Sequence, residues 1–552
     1  MSNIQSDYQR TSTAEVSRYT EALKNNVTKN GTYDAVNTQA SIADEGVTIP
    51  ENLQIVMDEL GESAITKAIL DGISIYENAH GCSIPADVVE QAIHSAYGVT
   101  SDARSKYQLP TLDSASNNAS DPMSLQPNKA IVAILTMMSE AIPFVHYLPA
   151  DIGSNEARLA VLEHQTDSAF GQYEAGAILD GIHSGDAYIS SSRIHKCDVN
   201  AAGNATGKIT IIQDTEETCD PAAPTSQLLR GRSLVYVQGK VVAREVESTG
   251  SGNSSVSGKA TVLGVDYAIA GYINTENGEI ALTTTPALPG TFSLVVEAFL
   301  DYERNPNITP KIITSVNVFK LYANPWRVYT QQTIDSRTQM ANELGLDPYS
   351  ESVIGIQQQF ANERHYKVLG MAMRLAVNNT IDFDFFWSVN NTKTRAEMFQ
   401  DIATPLGAID QQMANDTMNH GVTHMYVGKF LASMMLSMPS TIFIPSGISA
   451  RPGIYRIGKL FGRFDVYYTP KLVPESIVNG RQAASILCIG RATDVTRNPF
   501  ILGDAVAPSV IPLAVNMDLK TGAAFYARNF TAVNPHAQSS LGCALINLVN
   551  LT

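Results

Sequence analysis

Residues 348–376 carry Val353, Ile356, Phe360, Val368, Met371 and Leu375 at the spacing of one helix face. Ile354, Ala361, Leu369 and Ala372 widen that stripe. Asp347 stands at the N-cap position and Pro348 at the first helical position, a strong start signal. At ~1.5 Å per residue the run predicts a rod of about 44 Å. Glu363, Arg364 and Lys367 interrupt the stripe midway, with Glu363 and Lys367 spaced as an i,i+4 pair. Gly355 and Gly370 each cost ~1 kcal/mol against alanine, so packing against something large must hold the helix.

The rest of the chain changes pattern several times. Residues 1–46 are polar and predict an arm that orders only against a neighbour. Residues 51–98 predict short helices, 99–127 form a second polar stretch, and "NKAIVAILTMMSEAIPFVHYLPADIG" is helix-like until Pro143. Residues 151–198 are rich in Gly, Ala and Ser and predict an extended excursion. Over 199–306, β-branched runs alternate with turn signals, including an Asn277-Gly278 hairpin turn, and predict an inserted β domain. "IITSVNVFKLYANPWRVYT" reads as one long strand leading to the rod. Residues 399–438 look helical and 441–552 mostly short-stranded, with Lys520-Thr521-Gly522 as a turn between strands.

These shifts divide the chain into 1–126 (arm and helical lead-in), 127–198 (start of a peripheral domain and extended loop) and 199–306 (β insertion). The remainder divides into 307–397 (long strand and rod), 398–515 (a mixed domain) and 516–552 (C-terminal strands). The fold class is α+β.

Of the 552 residues, 17% are charged, below the ~25% usual for soluble domains, which fits a surface covered by other copies. The formal charge of −16 argues against a protein built to grip phosphates, though an acidic wall lets nucleic acid lie close without sticking. Cys82, Cys197, Cys219, Cys488 and Cys543 are scattered without a CxxC pair, which fits a reducing compartment and no zinc site. The first twenty residues lack the apolar core of a signal peptide, and no run approaches the ~18 apolar residues of a membrane span.

Motifs for chemistry are weak. "GIYRIGKL" nearly fits a phosphate loop, but Leu460 stands where the Mg²⁺-binding hydroxyl belongs, and the stretch reads as a strand entering a turn at Gly458. His420 and His424 have the spacing of a zinc pair without the glutamate of HExxH, and read as two loop histidines. Asp382 and Asp384 would share one side of an extended segment and read as a solvated turn. Tyr322, Trp326 and Tyr329 read as core. There is no GxSxG elbow, no dinucleotide glycine set and no basic-aromatic patch along the sequence. No catalytic, cofactor-binding or metal residue is assigned, no cofactor is expected, and the chain is not expected to be an enzyme.

The order of segments resembles the major capsid proteins of tailed phages, of the Hong Kong-97 type and closest to the T-even-like branch. The matching residues are Leu321, Ala323, Arg327, Tyr329 and Thr330, then Gly345, Leu346, Asp347, Glu351 and Glu363. "IPFVHYLPADIGSNEARLAVLEHQ", with Pro149, resembles the family's entry into its extended loop, and "AFGQYEAG" a run within that loop. "GYINTENGEIALTT" resembles a hairpin of its inserted domain; "LFGRFDVYYTP" and "ASILCIGR" resemble strands of its axial domain. The resemblance spans roughly Ser124 to Thr552.

The resemblance implies a shell subunit with an N-terminal arm, an extended loop, a long spine helix, an axial domain over 398–515 and an inserted β domain. Copies would form hexamers and pentamers of an icosahedral head, beside neighbouring capsomers and portal, scaffold and decoration proteins. Packaged double-stranded DNA would lie close by, no membrane would be involved, and the virion capsid would assemble in the host bacterial cytoplasm. Glu363, Arg364, Lys367, Glu174 and Arg158 are the candidate inter-subunit contacts, with the charged break in the spine expected to face a neighbour rather than the core. An encapsulin-like compartment shell, another phage structural protein such as a tail sheath, and a nucleotide-dependent enzyme using Gly453–Lys459 are the rival readings.

Overall fold

The computed structural model describes residues 12–25, 46–100, 103, 106, 126–181, 184–246, 252–345, 348–385, 394–478, 480–513, 515 and 517–551. Most of the expected arm, most of 99–127, the expected N-cap residue Asp347 and the motif residue Leu346 lie outside them. The chain divides into two compact units, residues 1–161 with 318–552, and residues 162–317.

The first unit opens with helices α1 (12–25), α2 (Glu51–Leu60), α3 (Glu62–His80), α4 (Ala86–Tyr97) and α5 (Gln126–Ser139). Ile65, Ile69, Val88, Ala92, Ile134 and Met138 are buried in their common core. Strand β1 (His146–Tyr147) follows, then β2 (Glu156–Thr166), within which the chain enters the second unit.

The second unit is built from β3 (Ser192–Lys196), β4 (Asp198–Val199), β5 (Asn204–Lys208), β6 (Leu234–Val237), β7 (Lys240–Val246), β8 (Asn253–Val262), β9 (Val265–Asn274), β10 (Glu279–Thr285) and β11 (Leu294–Phe299). They form one antiparallel nine-stranded sheet in the order β3-β11-β6-β7-β8-β9-β10-β5-β4. Alternate residues such as Val235, Val256, Ile269, Ile273, Leu282 and Val296 are buried, the period-two pattern of a sheet with one wet face. The turn between β9 and β10 has Gly278 at φ 77°, as Asn277-Gly278 predicts.

This unit starts earlier than the change in composition. The Gly-rich stretch expected to be an excursion supplies Phe170, Tyr173 and Tyr188 to its core. Gly171 permits that: a Cβ there would lie 1.8 Å from the Ala187 carbonyl oxygen. Aromatic residues separated by glycines have no period, so the sequence pattern hid their burial.

The chain returns within β12 (Ile312–Tyr322), which pairs with β2. Then come β13 (Asn324–Thr333), α6 (Ile334–Leu344), α7 (Pro348–Leu375), β14 (Thr380–Asp384), α8 (Arg395–Asp401), α9 (Ala403–Thr417), β15 (Val422–Val427) and α10 (Lys429–Leu436). The remaining strands are β16 (Phe443–Pro445), β17 (Tyr455–Leu460), β18 (Phe464–Tyr468), β19 (Glu475–Val478), β20 (Arg481–Gly490), β21 (Phe500–Leu513), β22 (Lys520–Val533) and β23 (Cys543–Val549). Within this unit one sheet has the order β1-β21-β22-β13, and the other β14-β23-β20-β15-β18-β17-β16, with β19 on β20.

Helix α7 has the bounds the apolar stripe predicts, and its 28 residues span about 42 Å at ~1.5 Å each. Other expectations need correction. The single long strand is two, broken at Ala323, because β12 pairs with β2 and β13 with β22. The helical reading of 399–438 missed β15, five of whose six residues are buried, which conceals any period. Strands β14 and β23, from outside 398–515, complete the eight-stranded sheet, while β21 pairs with β22 beside β13.

Lys520, Thr521 and Gly522 are not a turn. They pair with Thr333, Gln332 and Gln331, and the turn lies at 517–519. Glycine is needed at 522 because a Cβ would sit 1.8 Å from the Thr330 carbonyl oxygen. Gly522→Ala should therefore destabilise the chain by roughly 1–3 kcal/mol in urea unfolding, by prising β22 from β13. An unchanged midpoint would show that the two backbones do not approach this closely.

Candidate functional site

Helix α7 lies on one face of the β21-β22-β13 strands. Phe360 stacks edge-on to Trp326 (centroids 5.2 Å apart) and tilted on Phe525 (5.0 Å). One turn further, Arg364 points the same way. Its Nη2 donates to Asp504 Oδ1 at 2.8 Å, and the two side chains are 8% and 1% exposed. Asp504 is tied to α4 as well: its N–H donates to Gln91 Oε1 (3.3 Å), and Gln91 Nε2 donates to its carbonyl (3.4 Å). The guanidinium carbon lies 5.8 Å from the Tyr147 ring. Burial pushes the half-buried Glu140 carboxyl up to about 7, against the pull of Arg364 and with a push from Asp504.

A second buried knot holds the same unit. Asp87 meets Arg491 Nη2 (2.9 Å) and His146 Nδ1 (3.2 Å), and accepts from the Tyr147 N–H (2.9 Å). Burial alone would raise the Asp87 carboxyl, but Arg491, His146 and the Tyr147 N–H outweigh it and hold it well below the carboxylate range.

Arg364 is therefore corrected from a neighbour-facing group to an interior one. The reason is positional: residue 364 follows Phe360 by four and precedes Val368 by four, all on the inward face. That spacing was the available signal. Glu363 and Lys367 are exposed, and Lys367 Nζ lies 5.5 Å from the Trp326 ring centroid. Arg158 is exposed on β2 and pairs with Glu156 at 2.9 Å. Glu174 lies in the second unit, exposed at a turn where its carbonyl accepts from Thr166 Oγ1 at 2.5 Å. Only Glu363 and Lys367 share one open face.

Apolar and aromatic groups that the sequence reading placed inside are open. Tyr322 and Tyr329 are 59% and 68% exposed, and only Trp326 of the expected trio is half-buried. Val328, Ile334, Met340 and Ile354 are exposed too, as are Val515, Met517 and Leu519 around the β21–β22 turn. Hydrophobicity alone gives no sign of this; Val328 and Tyr329 lie on β13, the last strand of its sheet.

The motifs with chemical look-alikes have structural roles. "GIYRIGKL" runs through β17; Gly458 abuts the Ile444 carbonyl oxygen, and Lys459 Nζ lies 3.8 Å from Asp465. The turn comes later than expected, at Phe461 and Gly462, both with positive φ. His424 is not a loop histidine: it sits buried in β15 with Nδ1 2.7 Å from Thr423 Oγ1, and burial pushes it down to about 3. Asp382 and Asp384 lie on β14 rather than a turn, accepting from Asn547 (2.8 Å) and Asn550 (2.7 Å). Among the described residues no group of three His, Cys, Asp or Glu side chains is placed to hold a metal, and no helix is long and apolar enough to cross a membrane.

No family model and no curated protein matches the chain. Phage capsids recur among the similar solved structures. The chain is similar to the icosahedrally averaged capsid of the jumbo bacteriophage PhiKZ, at 10% identity and TM-score 0.35, covering 74% of this chain and 91% of that one. It is similar to the capsid of Myoviridae phage XM1 at 9% identity and TM-score 0.28, covering 44% and 78%. It is also similar to the holo-SrpI encapsulin complex of Synechococcus elongatus, at 13% identity and TM-score 0.27, covering 43% and 79%.

Interior and exterior charges on α7 should separate cleanly by mutation. Arg364→Ala leaves Asp504 buried and unpaired, and should cost ~3–5 kcal/mol in urea unfolding. Lys367→Glu should cost less than ~1 kcal/mol in the same measurement. Equal effects of both on folding would refute the division.

The Glu140 carboxyl gives a pH signature. Its folded value, about 7, lies above the ordinary 4.5, so the folded state holds the proton more tightly. The stability this confers is full below pH 4.5 and is lost as pH rises through about 7. Glu140→Gln should thus stabilise the protein at pH 8 and be neutral near pH 4 in paired denaturation curves.

Proposed function

We propose that the chain is a tailed-phage major capsid protein of the Hong Kong-97 type, assembling as hexamers and pentamers into an icosahedral head around double-stranded DNA. The observation that carries the reading is the run of exposed apolar side chains from the end of β12 through β13 and α6 to the start of α7. Tyr322 closes β12, Val328 and Tyr329 lie on opposite faces of β13, and Ile334, Met340 and Ile354 lie on the two helices, all of them exposed. A soluble monomer rarely leaves such a run bare, and neighbouring copies would cover it. The order of sequence motifs, with a 28-residue helix where the spine belongs, supports the same reading.

On this reading α7 is the spine, the eight-stranded sheet belongs to the axial domain, and residues 162–317 are the insertion with the extended loop folded into it. The partners are other copies, adjoining capsomers and the portal, scaffold and decoration proteins of the head, with DNA near but not gripped. The protein is made in the bacterial cytoplasm and ends in the virion, and it works by repeated contact rather than by chemistry.

Purified protein, with and without scaffold, should give closed icosahedral particles by negative-stain microscopy and a fast-sedimenting species. A strictly monomeric species in every assembly condition would overturn the proposal. Helical tubes would assign the chain to a tail sheath, and shells that co-purify with an enzyme instead of DNA would assign it to a cargo compartment.

A further inference from the structure

The β1-β21-β22-β13 sheet carries α7 on one face, where Trp326, Val510, Phe525 and Ala527 meet Ile356 and Phe360. The opposite face at the β13 edge has a different chemistry. Arg327 stands across from Tyr526, and Pro325 across from Arg528, so Arg327, Tyr329, Tyr526 and Arg528 share that face. Arg327 and Tyr329 are exposed, and Tyr526 and Arg528 are half-buried. The Arg327 guanidinium carbon lies 5.5 Å from the Tyr526 ring centroid, and Arg528 Nη1 donates to Asn155 Oδ1 at 2.8 Å.

Carboxylates are missing from this face. Across β13, β21 and β22 the one acidic residue is Asp504, which is buried on Arg364 at the helix side. Among the described residues neither Arg327 nor Arg528 has a carboxylate partner. The chain as a whole has 54 Asp and Glu against 38 Lys and Arg. A cationic, tyrosine-bearing plate is thus set into an acidic protein. After Pro325 the only charged side chain on the β13 edge strand is Arg327 itself.

We propose that this sheet face docks a carboxylate-bearing segment of a second copy of the chain, with Arg327 and Arg528 binding the carboxylates and Tyr329 and Tyr526 covering the segment's apolar groups. Charge complementarity selects the occupant. The protein's acid excess makes every other copy a source of carboxylates, and planar guanidinium groups pair with carboxylates in two-point fashion. The inference rests on the shell reading and adds to it a face, a chemistry and a salt dependence.

The test compares wild type, Arg327→Glu, Arg327→Lys and the Arg327→Glu/Arg528→Glu double variant. Circular dichroism and urea unfolding check that each folds, which the exposure of Arg327 favours. The Glu variants should lose assembly by roughly tenfold or more in sedimentation, Arg327→Lys, which keeps the charge but not the two-point pairing, should fall between them and wild type, and wild-type assembly should weaken with added salt. Glu variants that assemble like wild type, in salt-insensitive fashion, would overturn this inference and leave the shell reading intact. Wild type that forms no particles at all would overturn the shell reading instead. Wild type that shifts duplex DNA in a gel, with Glu variants that assemble normally but no longer do so, would assign the face to phosphates and overturn docking by a second copy.

Discussion

The pair between Arg364 and Asp504 is the constraint on which the first unit depends. It joins the middle of α7 to the middle of β21, and through Gln91 it reaches α4. Two charges in such a place cost several kcal/mol to desolvate, and their mutual attraction offsets this only while the geometry is held. That cost is a reason for specificity rather than strength. A helix of 28 residues with a uniform apolar stripe could slide along its sheet by a turn at modest loss. With one guanidinium required to meet one carboxylate, a single axial position remains. Phe360, clasped between Trp326 and Phe525 one turn earlier, makes the same choice by shape.

The sequence made the long helix legible because its signals are local. Proline at its start, absence of proline within it and apolar residues at helical spacing need no knowledge of a partner. The alternating strands of the second unit were legible for the same reason, as was the glycine that turns β9 into β10. Pairing was not legible. β14 and β23 join a sheet whose other strands lie between them in sequence, and the β21–β22 hairpin leaves that sheet to pair with β1 and β13, which lie far back along the chain. Nothing in a strand's own residues states its partner when both partners are apolar on the buried face.

The candidate site was legible in part, and the failures have one cause. In the sequence, charge suggests exposure and aromatic character suggests burial. Arg364 is charged and buried, because helical position outranks residue type when a carboxylate waits inside. Tyr322 and Tyr329 are aromatic and exposed, Tyr322 at the end of β12 and Tyr329 on the last strand of the β1-β21-β22-β13 sheet. Glu363 and Lys367 conform to the simple expectation, since they sit off the inward stripe.

The two mistakes point in the same direction. A self-sufficient globular protein would place its arginine outside and its tyrosines inside at these positions, and would lose nothing by it. Here the buried arginine fixes the register of a long rigid element, while the tyrosines, valine and isoleucine beside it are left to solvent. Rigidity within and incompleteness without make sense together only if the surface is to be completed by something else. A contact surface that must match a partner over many residues needs its own side chains held in fixed relation, or ordering them would consume the association energy. The buried pair holds α7 and β21 in fixed relation, and so, on the proposed reading, the interior electrostatics of α7 are a precondition for docking along β13.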